Sequence, residues 1–308
     1  MEIYLPIADL PVNVFLILGM GLAVGFISGM FGIGGGFLMT PLLIFVGISP
    51  AVSVATVASH IAASSFSGAL SYWRRRALDL ALALVLLVGG VVGTVLGVWL
   101  FTVLRRIGQL DITIGLSYVL LLGTVGGLMV WESVRAILRA RSGQRAPLRR
   151  PGSHTWVHGL PLKLRFKQSR LYISAIPVCG IGLIIGFVGA IMGIGGGFLL
   201  VPMLIYVLRV PTSVVIGTSM VLTLVTMAAA TVLHAATNHL VDVVLAMLLM
   251  AGGVIGAQFG ARAGQKLAAD RLRLLLGLLV VAVGLRFAFD LVWTPADLYS
   301  IRQMEGGR

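Results

Sequence analysis

The stretch GMFGIGGGFLMTPLLI, residues 29–44, puts four glycines in five positions, Gly32 and Gly34 to Gly36, inside strongly apolar sequence. Residues 189–205 repeat it as GAIMGIGGGFLLVPMLI. Each cluster is followed by a phenylalanine (Phe37, Phe198) and then a proline (Pro41, Pro202), and the copies lie 161 positions apart. Pro50 and Pro211 keep that offset; Asp79 and Asp242, and GGVVGTVLG (89–97) and GGVIGAQFG (252–260), match at 163. Similarity thus runs over about 11–139 against 172–293, which indicates an internal duplication.

The chain around these clusters has 308 residues, of which 58% are hydrophobic and 11% charged. Its mean hydropathy is +1.05. Soluble domains are about a quarter charged, so this composition predicts an all-α, polytopic membrane protein with the lipid bilayer as its surroundings. Residues 11–31 belong to the repeat pattern and have no small-residue cleavage motif after them, so they read as a helix and not as a cleaved signal. One cysteine, Cys179, leaves no internal disulfide and no Cys-based metal cluster.

Each half divides into five helical pieces: 11–31, 37–48, 50–72, 78–104 and 112–139, then 172–192, 198–209, 211–236, 240–266 and 271–293. Pieces of about 12 residues make only about 18 Å of helix, against roughly 30 Å for a full span. The short second piece of each half therefore reads as the returning arm of a hairpin with the glycine cluster at its tip. Three long transmembrane helices complete each half.

Charge supplies the topology. The net charge is +13, and no acidic residue occurs between Ser133 and Asp242, whereas ten Arg and Lys fall between Arg135 and Arg170. Nucleic-acid binding is the poorer reading of that run; a cytoplasmic loop obeying the positive-inside rule is the better one in so apolar a chain. Residues 140–170 are thus expected to be cytoplasmic, between an N-terminal half (1–139) and a C-terminal half (171–308). Counting crossings then makes the halves inverted, an architecture of secondary transporters. The ladders Gly89, Gly93, Gly97 and Gly252, Gly256, Gly260, Gly264 read as close-packing faces within the protomer. A homodimer contact is the alternative use of the same faces.

Glycine in a helix interior costs about 1 kcal/mol against alanine, and unpaired backbone in hydrocarbon costs several kcal/mol per group. Such clusters survive at membrane depth when buried in protein or lining a wet cavity. Their free N–H groups, with the start of the following helix, form an anion-binding surface. The candidate substrate-binding residues are therefore Gly34, Gly35, Gly36 and Phe37 at one tip and Gly195, Gly196, Gly197 and Phe198 at the other. Tight turns that only permit close packing are the competing explanation. Polar stripes on the next helices supply His60, Ser64, Thr218 and Ser219. His60 is the sharpest of these, since an ionisable group inside a membrane is a functional candidate, either for the anion or for a proton; a hydrogen-bonded structural histidine is the other reading. Asp79 and Asp242 fit as helix N-caps. The apolar segments carry no His/Cys/Asp/Glu set at ligand spacing and no acidic pair, so neither an enzyme, a cofactor nor a metal is expected.

On its two GIGGGF motifs, the prolines Pro41 and Pro202, SGALSYWRRRALDL (67–80) and IGTSM (216–220), the chain resembles the TauE/SafE family, the sulfite exporter family. The resemblance implies export or import of a small sulfur oxyanion or organosulfonate, such as sulfite or sulfoacetate, across the cell inner membrane, coupled to protons. A passive anion channel, or a permease for another small organic anion, is the second reading. The first half has VATVAS (54–59) where the second has IGTSM, so the two halves need not contribute the same groups.

A cysteine placed in 140–170, in a protein whose Cys179 is replaced, is expected to be shielded in intact cells from a membrane-impermeant thiol reagent. Labelling from outside would overturn the topology.

Overall fold

The computed structural model describes residues 2–31, 36–74, 78–141, 161–166, 171–206, 212–264 and 269–292. Among them are ten α-helices: α1 (Val14–Phe31), α2 (Gly36–Phe45), α3 (Pro50–Arg74), α4 (Leu80–Arg106), α5 (Leu110–Arg141), α6 (Ala175–Met192), α7 (Gly197–Tyr206), α8 (Thr212–Leu233), α9 (Val243–Gly264) and α10 (Ala269–Val292). These are the ten expected pieces, with α2 and α7 the two short ones. Among the described residues, five stretches are long and apolar enough to cross a membrane: Leu80–Arg106, Leu110–Arg135, Ala175–Met192, Val215–Asn238 and Val243–Gly260. The 25 residues of α3 are long enough, but its Ser, Thr and His residues lower its hydropathy.

Local chemistry sets the helix boundaries. Asp79 and Asp242 are N-caps, as expected: Leu82 N–H donates to Asp79 Oδ1 at 3.3 Å, and Leu245 N–H to Asp242 Oδ1 at 3.0 Å. Asn13 accepts from Phe15 N–H at 3.0 Å and Ser174 from Ile176 N–H at 3.2 Å, at the starts of α1 and α6. A π-helical turn, His234–Asn238, extends α8.

Two β-hairpins lay outside the sequence reading. β1 (Glu2–Leu5) pairs antiparallel with β2 (Leu10–Asn13), and β3 (Lys163–Phe166) with β4 (Leu171–Ser174). Glu2 faces Asn13 and Lys163 faces Ser174, so the hairpins share one register at the same 161-residue offset as the glycine clusters. Strands of four residues are too short to display a period-2 pattern, and β3 lies in sequence expected to be basic loop.

The helices exchange partners between halves. α1 packs on α9 and α4 on α6, while α3 pairs with α8 and α5 with α10. A methyl group added at Gly25 or Gly29 would lie within 3.0 Å of the backbone of Gly253 or Ala257; one at Gly89 or Gly93 would do the same against Cys179 or Leu183. The numbers rise together on both helices, so α1 runs parallel to α9 and α4 parallel to α6. The glycine ladders therefore pack within the chain. α5 and α10 are antiparallel, since Gly277 approaches Val130 while Gly284 approaches Leu122.

Two hydrogen bonds tie the exchanged pairs reciprocally. Asp242 N–H donates to Thr56 Oγ1 of α3 at 3.1 Å, and Asp79 N–H donates to Thr218 Oγ1 of α8 at 3.4 Å. At one end of the bundle Ile7 N–H reaches Asp242 Oδ2 at 3.0 Å, and Arg105 Nη1 donates to Asn238 O at 2.9 Å. The Arg105 guanidinium thus serves a backbone carbonyl.

Gly93→Ala is expected to force α4 away from α6 and to destabilise by about 1–3 kcal/mol, read as a lower unfolding temperature in detergent. Gly123→Ala, where nothing lies within 4 Å of the new methyl, should be neutral or slightly stabilising.

Candidate functional site

The second hairpin tip shows why its glycines are needed. α6 ends at Gly193, whose φ of +63° is left-handed and whose N–H bonds Gly189 O. Gly195 is also left-handed, at φ +73°. L-side chains rarely adopt either conformation. Breaking the helix frees carbonyls at the end of α6, and other elements supply donors to them. Tyr118 Oη of α5 donates to Met192 O at 2.7 Å, and Thr40 Oγ1 of α2 donates to Gly193 O at 3.1 Å. The Tyr118 ring is held by stacking on Phe287 of α10, with centroids 5.2 Å apart. The carbonyl side of the break is thereby satisfied, and the opposite side presents the start of α7. Its first helical bond runs from Leu200 N–H to Gly196 O at 2.8 Å, and the N–H groups before it lie beyond the intrahelical ladder.

The two short helices begin face to face. Phe37, at the start of α2, stacks on Phe198, at the start of α7, with ring centroids 4.5 Å apart and planes 15° from parallel. Both rings are buried. Ile61 of α3 wedges against both tips, because a methyl group at Gly36 or at Gly195 would collide with its side chain. The structure therefore brings together Gly36, Phe37, Gly195, Gly196, Gly197 and Phe198. Gly34 and Gly35 lie outside the described residues.

The polar candidates divide. His60, 1% exposed, turns to α9, where its ring lies against Gly253, makes a backbone hydrogen bond with Leu249 and keeps Nδ1 without a partner. Ser64 Oγ donates to Ile61 O at 3.0 Å and Ser219 Oγ to Ile216 O at 2.8 Å, so both hydroxyls return to their own helices. Thr218 accepts the Asp79 N–H described above. His234 of the π-helical turn, in contrast, has both ring nitrogens engaged: Nε2 lies 3.1 Å from Ala190 O, and Asn238 Nδ2 donates to Nδ1 at 3.3 Å.

Sequence reading missed Thr40, Tyr118 and Ile61. Thr40 offered one signal, since the second copy of the motif has Val201 in its place. A separate cleft of about 360 Å³ lies where α4 ends and α3 and α5 begin, lined among others by Ser49, Arg105 and Asp111.

Ten helices among the described residues, five of them holding stretches long and apolar enough to span a bilayer, make this a multi-pass membrane protein. The family model of the sulfite exporter TauE/SafE matches residues 17–287, and the chain belongs to that family. It is 31% identical over 285 residues to a "Probable membrane transporter protein" of Xylella fastidiosa (strain 9a5c), covering 89% of this chain and 94% of that one. It is 27% identical over 270 residues to the "Probable membrane transporter protein YjnA" of Bacillus subtilis (strain 168), covering 87% and 96%. A shorter match, 45% over 53 residues, covers 17% of this chain and 12% of the "Sulfite exporter TauE/SafE family protein 1" of Arabidopsis thaliana. No solved structure matches the chain.

Tyr118→Phe keeps the ring stack but leaves the buried Met192 carbonyl without its donor. It should cost about 1–3 kcal/mol, read as a lower unfolding temperature; an unchanged unfolding temperature would show that the broken end of α6 does not depend on this bond.

Proposed function

We propose that the chain is a secondary transporter that moves a small sulfur oxyanion or organosulfonate, sulfite or sulfoacetate being the leading examples, across the cell inner membrane with proton coupling. The observation that carries this reading is the meeting of the α2 and α7 starts at the Phe37–Phe198 stack. Two helix N-termini converging at one buried point add two partial positive charges, about half an elementary charge each. Backbone N–H groups can replace the water that an oxyanion sheds, and glycine lets the anion approach them.

The same reading takes residues 1–139 and 171–308 as inverted halves joined by the basic loop 140–170. The parallel pairs α1·α9 and α4·α6 and the reciprocal Thr–Asp bonds support it. α1 starts at the end of the bundle where Ile7 meets Asp242, whereas α6 runs with α4 toward that end. Positive-inside charge makes that end the outer one. Ile61 and the stacked phenylalanines fill the space between the tips, so the described conformation is closed, and alternating access requires the tips to part toward one side at a time. His60 is the proton-carrying candidate, because it is ionisable, buried at the α3–α9 contact and has an unpartnered Nδ1.

In proteoliposomes, sulfite uptake should saturate and should respond to an imposed pH gradient; unsaturable, pH-indifferent conductance would identify a passive channel instead. His60→Ala should lower the flux about a hundredfold or more, the low end of what loss of a positioned acid–base group costs, without lowering the yield of folded protein. Wild-type flux in that variant would make His60 a packing residue.

A further inference from the structure

The hydroxyls of α8 are not equivalent. Ser219 bonds Ile216 O, Thr226 Oγ1 donates to Leu222 O at 2.8 Å, and Thr231 Oγ1 to Met227 O at 2.8 Å. This back-bonding is the ordinary fate of a hydroxyl on an apolar helix. Thr223 departs from it. Its side chain is 1% exposed, and Oγ1 has no hydrogen-bond partner. The hydroxyl faces the second tip, lying 3.4 Å from where a methyl group on Gly196 would sit. An orphan hydroxyl in the interior is destabilising, and the neighbouring residues show that α8 offers such groups internal acceptors.

The internal repeat sharpens the contrast. Thr56 and Thr218 are equivalent by their reciprocal bonds to the two aspartate caps, an offset of 162. The same offset pairs Ile61 with Thr223. Both lie against Gly195 through carbon atoms, but Ile61 has nothing else to offer, whereas Thr223 also carries a hydroxyl, which faces Gly196. The two halves therefore contribute a wedge and a polar group to one centre.

We infer that Thr223 is a substrate-contacting, specificity-determining residue: when the tips part, its Oγ–H donates a hydrogen bond to an oxyanion held by the N–H groups of Gly195 to Gly197, while Ile61 fills the equivalent place and makes the site one-sided. This rests on the reading of the helix starts as the anion site. It goes further by naming the side chain that complements the backbone donors, and by placing substrate against α8 and not symmetrically between the halves. A hydroxyl donor selects for an anion with an oxygen directed at α8, and an anion without one would leave it unpaired.

The test uses the full chain purified in detergent, with sulfite kept anaerobic as the probe and affinity measured by calorimetry. Thr223→Val keeps the branched shape and removes the hydroxyl; Thr223→Ser keeps the hydroxyl. Thr223→Val should weaken sulfite binding about tenfold, the size of one hydrogen bond to a charged group, and Thr223→Ser should stay within a few-fold of wild type. Without sulfite, Thr223→Val should unfold at an equal or higher temperature, since it removes a buried orphan hydroxyl. Wild-type affinity in Thr223→Val would overturn the inference and leave the transport reading standing. Weakened binding with a lowered unfolding temperature would overturn it too, by assigning Thr223 to packing. If the wild-type protein binds no sulfite, the sulfite reading fails and the inference falls with it.

Discussion

A helix cannot be broken at membrane depth unless the peptide groups it frees find partners, and this constraint organises the molecule. At the end of α6 the freed carbonyls of Met192 and Gly193 are taken by Tyr118 and Thr40. Those donors come from α5 and from the opposite hairpin, so the break in one half is satisfied by elements of the other. Stacking on Phe287 fixes the tyrosine, and the position of α10 thus bears indirectly on the tip. Carbonyls are thus covered on one side of the break, and in the proposed reading the N–H groups that start α7 are left for an anion on the other. An anion suits that second side, and a cation does not.

The second constraint is distance. Apolar side chains gain nothing by leaving lipid for a helix interface that is equally apolar, so membrane helices associate through close backbone approach. α1 on α9 and α4 on α6 meet this need with glycine against backbone. These contacts connect the halves, and the Thr56–Asp242 and Thr218–Asp79 bonds pin their depth. Broken helices α1–α2 and α6–α7 are in this way each mounted on a long helix of the other half.

Long apolar runs, glycine clusters and the repeat made most of this fold legible in the sequence, because each reports a strong and local cost: unpaired backbone in lipid, or crowding between helices. The ten helices, the short α2 and α7, and the aspartate caps all follow from such costs. The hairpins that precede α1 and α6 were not legible, since four-residue strands carry no periodic signal, and only their common register reveals that the repeat extends through them. At the site, the glycines that begin α2 and α7 were readable from composition. Tyr118 and Thr40 were not, because a single hydroxyl on an apolar helix looks the same whether it bonds its own helix or reaches 74 or 153 residues along the chain. Ser64 and Ser219 illustrate the converse: spaced as a polar stripe, they spend their hydroxyls on their own backbone.

In the proposed mechanism, backbone N–H groups at the start of α7, beside Phe198, hold the anion. Selenite, the selenium counterpart of sulfite, permits a direct test by anomalous diffraction from crystals of the complex. A selenium position is expected whose oxygens lie about 3 Å from the N–H groups of Gly195 to Gly197. A well-occupied selenium in the cleft lined by Arg105 and Asp111, with none at the tips, would contradict it.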